Sequence, residues 1–109
     1  MIPMITLTVY KRQNQYQGFA SKGHAGFAEE GEDIICAGVS ALTVNAVNSI
    51  EQFTGDAFAV HQDEGFLELM LEGAPSRETT LLLDSMVLGI QSIQETYGNE
   101  YIQIVLKEV

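Results

Sequence analysis

The sequence predicts an α/β fold of the α+β type, in which two helices pack against a five-stranded mixed sheet in a single domain. Five short segments suit strands, and two segments of about 20 residues repeat apolar residues at steps of three or four, as helices do. The predicted order is β-β-α-β-β-α-β. The chain has 109 residues, the usual size of one domain, so we expect residues 1–109 to share one core.

The first two strands are predicted from alternation and from a turn between them. Ile5, Leu7 and Val9 alternate with threonines over residues 4–10, which indicates a strand with one buried face. The sequence Gln-Asn-Gln at residues 13–15 is a turn signal. The following YQGFASKG is then predicted to be the second strand.

The first helix is predicted from Asp33 to about Phe53. Its apolar residues recur at the spacing of one buried helix face; they are Ile35, Val39, Leu42, Ala46, Ile50 and Phe53. Asp is among the best N-cap residues, so Asp33 is expected to begin the helix. Small residues near its start, among them Ala37, would let a neighbouring backbone or a substrate chain approach closely.

The second half of the chain repeats the order of two strands and a helix. AFAVHQ and FLELML are strand-like runs, and the intervening Asp63-Glu64-Gly65 indicates a hairpin. Ser76 is the expected N-cap of a helix that ends near Tyr97. The expected buried residues of this helix are Leu82, Met86, Ile90 and Ile93.

The chain is predicted to end in a strand after a glycine that stops the second helix. Gly98 follows the periodic segment directly, where a left-handed C-cap glycine is common. The final YIQIVLKEV then reads as the fifth strand.

The charge balance is strongly acidic, with 15 Asp and Glu against 5 Lys and Arg and a net charge of −10. This charge repels nucleic acid, whose binding depends on neutralising phosphates, so we expect no nucleic-acid partner. It favours encounter with a basic partner. Solubility alone is the other explanation of so many acids.

The sequence is also interpreted as that of a cytoplasmic protein without a membrane partner. We expect no apolar run near the roughly 20 residues that a membrane-spanning helix needs. The basic residues at the start follow the apolar ones, the reverse of a secretory signal. A single cysteine cannot form an intramolecular disulfide, so no oxidising compartment is implied.

Cys36 and His24 are the candidate reactive pair. If Asp33 caps the helix, Cys36 lies in its first turn, where the helix dipole lowers the pKa of a thiol and backbone amides could hold an oxyanion. Four acidic residues between positions 29 and 33 raise that pKa instead. A thiolate therefore needs a cation, which the His24 imidazolium can supply while it protonates a leaving amine.

Other interpretations of these residues remain open. A lone cysteine is often inert core filling, and a thiol nucleophile also serves redox or acyl-transfer proteins. Gly23 and the glycines after it either form turns or allow a mobile cover over an active site. No metal-ligand spacing or cofactor motif is present, and His61 is expected to be a surface residue.

The segment GHAGFAEEGEDIICAGVSAL, residues 23–42, resembles the signature of the ribosomal-processing cysteine protease family Prp. That signature has Gly-His-Ala, a short loop, Gly-x-Asp-Ile-hydrophobic-Cys-Ala and then Val-Ser-Ala-Leu. Its matched positions here are Gly23, His24, Ala25, Gly31, Asp33, Ile34, Cys36, Ala37, Val39, Ser40, Ala41 and Leu42. The order of strands and helices also fits that family's small domain.

The resemblance implies a homodimeric cytoplasmic endoprotease that removes an N-terminal extension from ribosomal protein twenty-seven of the large subunit. It implies Cys36 as the nucleophile and His24 as the general acid and base. Asp33 then caps the helix, orients His24, or does both, and Ser40 either lines the site or bonds back to a carbonyl. Bulky aromatic residues before the scissile bond imply an apolar groove beside Cys36. The alternative is a non-catalytic acidic module that binds a basic ribosomal protein.

Overall fold

The computed structural model describes residues 4–23 and 33–109, and over these residues the element order is the predicted one. The elements are β1 (Ile5–Arg12), β2 (Gln15–Lys22), α1 (Ile34–Phe53), β3 (Phe58–Asp63), β4 (Phe66–Leu71), α2 (Arg77–Tyr97) and β5 (Ile102–Glu108). The predicted turn at residues 13–15 is a tight one, because Gln13 and Asn14 both have positive φ, at 51° and 65°.

The five strands form one mixed sheet in the order β3-β4-β2-β1-β5. The pairs β1–β2, β2–β4 and β3–β4 are antiparallel, whereas β1 and β5 are parallel. A parallel pair needs a crossover rather than a hairpin, and here α2 lies between the β3–β4 hairpin and β5. The predicted fold class is confirmed.

One face of the sheet and the two helices form the core. Alternate strand residues are fully buried, as on a half-covered sheet, for example Leu7, Phe19 and Leu69. The buried residues of α1 are Ile35, Val39, Thr43, Ala46 and Ile50, and those of α2 are Thr79, Leu83, Met86 and Ile90. Leu42, Leu82 and Ile93 are partly buried and pack against this cluster.

Two details of the predicted helices are wrong. Phe53 is 72% exposed; periodicity identifies the side of a helix on which a residue lies, but not whether the sheet still extends beneath the last turn. Gly98 does end α2, with φ 107° and ψ 158°. This ψ lies far from the left-handed helical region, so the cap is not the expected left-handed one.

The two helices approach each other closely because glycines lie between them. A Cβ at Gly89 would lie 2.9 Å from Leu42 Cδ1, and one at Gly38 would lie 3.0 Å from Ile93 Cδ1. Each glycine thus leaves room for a large side chain of the other helix. This contact compensates for the lower helix propensity of glycine, about 1 kcal/mol relative to alanine.

α1 is also long and apolar enough to cross a membrane by length and composition, with a mean hydropathy of 1.4 over 18 residues. The expectation that no apolar run approaches this length is therefore wrong. Core helices of soluble proteins pass the same test, and α1 places its buried residues in the core. The test by itself is weak evidence for a membrane.

Tyr16 connects β2 to α2, and its replacement by phenylalanine should destabilise the fold. Its hydroxyl donates to Asp84 Oδ1 at 2.5 Å, and Lys11 Nζ lies 3.7 Å from the ring centroid. We expect Tyr16→Phe to lower the free energy of unfolding by about 1 to 2 kcal/mol at neutral pH. Tyr10→Phe, a half-buried control on β1, should change it by less than about 0.5 kcal/mol.

The effect of Tyr16→Phe should also depend on pH. Burial of the ring, and then the hydrogen bond and charge of Asp84, raise the pKa of Tyr16 above its ordinary value. The folded state therefore holds this proton more tightly than the unfolded state. The advantage of the wild type is complete below about pH 10 and is lost as the pH rises further. Urea unfolding of both chains across this range measures it, and a difference that is constant with pH would contradict the assignment.

Candidate active site

Cys36 lies in the first turn of α1, and Asp33 is the N-cap, as predicted. Asp33 has an extended backbone, with φ −79° and ψ 99°. Its Oδ1 accepts the backbone N–H groups of Ile35 and Cys36, each at 3.0 Å. Ala37 N–H donates to the backbone oxygen of Asp33 at 3.1 Å. The expectation that amides of this turn hold an oxyanion is therefore wrong for these three groups, because Asp33 already occupies them.

The second carboxylate oxygen of Asp33 contacts the thiol itself. Cys36 Sγ donates to Asp33 Oδ2 at 3.4 Å, within reach for a sulfur donor. A hydrogen bond to the neutral form of an acid, together with an adjacent negative charge, favours the protonated form. In a reaction through the thiolate, a positive group beside the sulfur would have to offset this contact with a carboxylate.

Cys36 opens into a cavity of about 520 Å³ between α1 and one end of the sheet. The cavity lies where β1 begins, β2 ends and the β3–β4 hairpin turns. Its lining residues are Ile5, Ser21, Gly23, Asp33, Cys36, Ala37, Val39, Ser40, Thr43, Val44, Gln62, Asp63, Glu64, Gly65, Phe66 and Leu67. The charged residues of this described lining are all acidic, so the cavity suits a neutral or basic ligand.

Ala37 and Ser40 both line this cavity and are exposed. Ser40 lies four residues after Cys36, so the two side chains share one side of α1. The Ser40 carbonyl accepts a hydrogen bond from Thr43 Oγ1 at 3.2 Å. Of the two roles considered for Ser40, the structure supports lining the cavity.

Gly23 directly follows the last residue of β2 and lines the cavity. It has φ 100°, and its N–H donates to Gly65 O at 2.9 Å. A Cβ at this position would overlap the carbonyl oxygen of Met4. His24 follows directly, but it lies outside the described residues, as does the loop that is predicted to cover the site. Its pairing with Cys36 stays a prediction.

Replacing Gly23 with alanine should destabilise the fold by about 1 to 3 kcal/mol, because it combines an unfavourable φ with overlap against backbone. Gly73→Ala is the matched control, since Gly73 is exposed and a Cβ at this position would have no atom within 4 Å. The control should stay within about 0.5 kcal/mol of the wild type. Thermal unfolding of both variants decides this, and equal effects would contradict it.

The β3–β4 hairpin is the part of the site that sequence analysis missed. Gln62, Glu64 and Phe66 line the cavity, although they lie more than 25 residues after Cys36. Only the pairing of β4 with β2 brings them there. A hairpin signature is visible at residues 63–65, but chain order does not reveal which strands become neighbours. His61 is exposed, as predicted, and meets the ring of Phe66 edge-on at 5.8 Å.

Sequence comparison relates this chain to known proteases. A family model described as cysteine protease Prp matches residues 4–103. The chain is 29% identical to the ribosomal processing cysteine protease Prp of Bacillus subtilis, over 86% of this chain and 90% of that protein. It is 34% identical to the protein of the same name from Staphylococcus aureus, over 75% of this chain and 78% of that protein.

The fold leads to the same family. The crystal structure of an essential ribosomal processing protease Prp from S. aureus, with a covalently linked product peptide, superposes with a TM-score of 0.89. The two chains are 31% identical, and the match covers 95% of this chain and all of the other. The resemblance seen in residues 23–42 is thus confirmed. This chain is a cysteine protease and belongs to the Prp family.

Proposed function

We propose that this protein is a cytoplasmic, homodimeric endopeptidase that removes the N-terminal extension of ribosomal protein twenty-seven of the large subunit. In this proposal residues 1–109 act as one protease domain. Cys36 is the nucleophile, His24 is the general acid and base, and no cofactor takes part. The names of the relatives support a ribosomal processing role.

The observation that carries the proposal is the position of Cys36 at the start of α1 and at the wall of the 520 Å³ cavity. A buried, inert cysteine would have no such access. The half-buried thiol can meet an extended peptide that enters between α1 and the β3–β4 hairpin. Ala37 and Ser40 leave room for the peptide backbone, while Val44 and Phe66 provide apolar surface.

The proposed reaction begins when His24 takes the thiol proton. The Cys36 thiolate attacks the carbonyl carbon of the scissile bond, the imidazolium protonates the leaving amine, and a thioester forms. Water, deprotonated by the imidazole, then hydrolyses the thioester and regenerates the thiol. Asp33 opposes this proton transfer as long as its Oδ2 accepts a hydrogen bond from the thiol. The imidazolium must therefore supply enough charge to outweigh this carboxylate.

The test uses a ribosomal protein that bears its N-terminal extension. Its mass is followed after mixing with wild type, Cys36→Ala or His24→Ala. Truncation by the wild type and by neither variant supports the peptidase. Binding without truncation by all three would replace it with the alternative, an acidic module that binds a basic protein.

Processing should also slow as the salt concentration rises. The net charge of −10 and the acidic cavity residues Asp33, Asp63 and Glu64 attract a basic substrate, and salt screens this attraction beyond about 10 Å at 0.1 M. We expect kcat/KM to fall about tenfold between low and moderate salt, mainly through association. An uncharged peptide with the same cleavage sequence is the control. Equal salt dependence for both substrates would contradict electrostatic steering.

A further inference from the structure

β3 is an edge strand of the sheet, and its free edge borders the cavity. The sheet order places β4 on one side of β3 and no strand of the described residues on the other. Every residue of β3 after Phe58 is exposed. Gln62 belongs both to this strand and to the lining of the cavity that contains Cys36. The edge of the sheet therefore continues into the candidate active site.

The register of the β3–β4 hairpin shows which backbone groups of β3 point away from β4. Opposite residues of an antiparallel pair alternate between those that exchange hydrogen bonds and those that do not. Glu72 N–H donates to Ala57 O at 2.9 Å, so this opposite pair is a bonded one. Counted along the register from there, the N–H and C=O groups of Phe58, Val60 and Gln62 point away from β4. Such a row of groups can pair with another extended chain.

The side of α1 that carries Cys36 faces this edge. Gly38 lies against α2, and Cys36 and Ser40, each two residues from it, lie about 200° around the helix from Gly38. α2 itself lies over the β5 side of the sheet, where Gln94 Nε2 donates to Ile102 O at 2.9 Å. The side of α1 opposite α2 is therefore the side nearer to β3, at the other edge of the sheet.

We infer that an extended substrate peptide binds along the free edge of β3 and adds a sixth strand to the sheet. Its backbone pairs with Val60 and Gln62, and this pairing holds the scissile bond beside Cys36. Strand addition supplies affinity from main-chain groups, while the side chains of the peptide alternate between the two faces of the sheet. The inference rests on the proposed role of Cys36 and adds how the substrate is held.

The surface beside this edge suits such a peptide. Val60 is paired with the fully buried Leu69, so its side chain lies on the helix side of the sheet, yet it is 41% exposed. Val44 of α1 is 40% exposed and lines the cavity. A strand added beside β3 places every second side chain on this same side of the sheet. Apolar peptide residues at alternate positions therefore find exposed apolar surface.

The first test methylates the main-chain nitrogens of a peptide that carries the cleavage sequence, one nitrogen at a time and never at the scissile bond. A strand paired with β3 directs every second N–H towards it. In the paired segment, kcat/KM should fall at least about tenfold at alternate positions and less than about threefold at the positions between them. Losses that do not alternate would overturn the inference.

The second test removes one backbone N–H from the protein. Val60→Pro removes a group that points away from β4, and proline is tolerated at such positions of an edge strand. We expect kcat/KM to fall about tenfold, mainly through KM. Leu106→Pro on β5 is the matched control: Val109 N–H donates to Lys11 O, so by alternation the Leu106 N–H points away from β1. It should change kcat/KM by less than about twofold.

The outcomes separate this inference from the function, because the Kd of each peptide for Cys36→Ala is measured as well. Cleavage of the unmodified peptide without alternation in either quantity overturns strand addition and leaves the peptidase standing. Alternation in Kd without cleavage by the wild type supports strand addition and contradicts the role of Cys36. If Val60→Pro melts below Leu106→Pro, the methylated peptides alone decide, since they require no change in β3.

Discussion

Replacing Cys36 with alanine should reduce kcat/KM for cleavage of the extended substrate by at least about 1,000-fold, to background. Alanine removes the sulfur that attacks the peptide bond, and no other cysteine is present in the chain to replace it. The backbone hydrogen bond from residue 36 to Asp33 Oδ1 persists, so α1 should still begin at the same residue. Mass spectrometry of the substrate over a long incubation provides the measurement.

The control for Cys36→Ala is binding. The variant should hold the substrate peptide with a Kd within about threefold of the wild type, because the cavity lining is otherwise unchanged. Its thermal unfolding should also match within a few degrees, since Cys36 is only half-buried. Cleavage that continues at the wild-type rate would remove Cys36 from the mechanism, and a loss of binding would indicate that the site had collapsed.

A larger side chain on α1 that fills the cavity should reduce kcat/KM almost as much as removal of the sulfur does. Ser40→Phe places a large ring on the cavity wall, one turn from Cys36. We expect kcat/KM for the protein substrate to fall by about 100-fold, because the ring takes the space of the peptide and prevents its alignment with the sulfur. Steady-state cleavage measures this effect.

Two comparisons distinguish a blocked cavity from a damaged site. A small thiol reagent should label Cys36 in Ser40→Phe within about threefold of the wild-type rate, since it needs far less room than a peptide. Gln91→Phe adds the same ring at an exposed position of α2, outside the cavity lining, and should keep full activity. If thiol labelling falls together with cleavage, the ring has altered Cys36 rather than excluded the substrate.

The fold was predictable from local pattern because its elements are regular. Alternation in β1 and the helical spacing in α1 and α2 each reflect one buried face, and the structure buries those faces. The errors arose where local pattern carries no information. Phe53 lies on the predicted side of α1 but is exposed, since the spacing of residues does not show how far the sheet extends.

Only those parts of the site whose residues lie close together in the sequence were predictable. Asp33 as N-cap and Cys36 in the first turn follow from residues three positions apart, and the structure has both. The contributions of Gln62 and Phe66 depend on β4 pairing with β2, a contact between distant segments. The sequence analysis treats the amides of the first turn as available to an oxyanion, whereas Asp33 Oδ1 accepts two of them, as a capping side chain does.

Asp33 has a chemical consequence beyond starting α1. Its two oxygens accept hydrogen bonds from the backbone amide and from the sulfur of the same residue, Cys36. One side chain therefore contacts both the start of the helix and the reactive group. Oxidants attack thiolates far faster than thiols, and sulfenic acid formation is the first step of damage. A change in the Asp33 carboxylate would therefore act on the helix end and on the oxidation of Cys36 together.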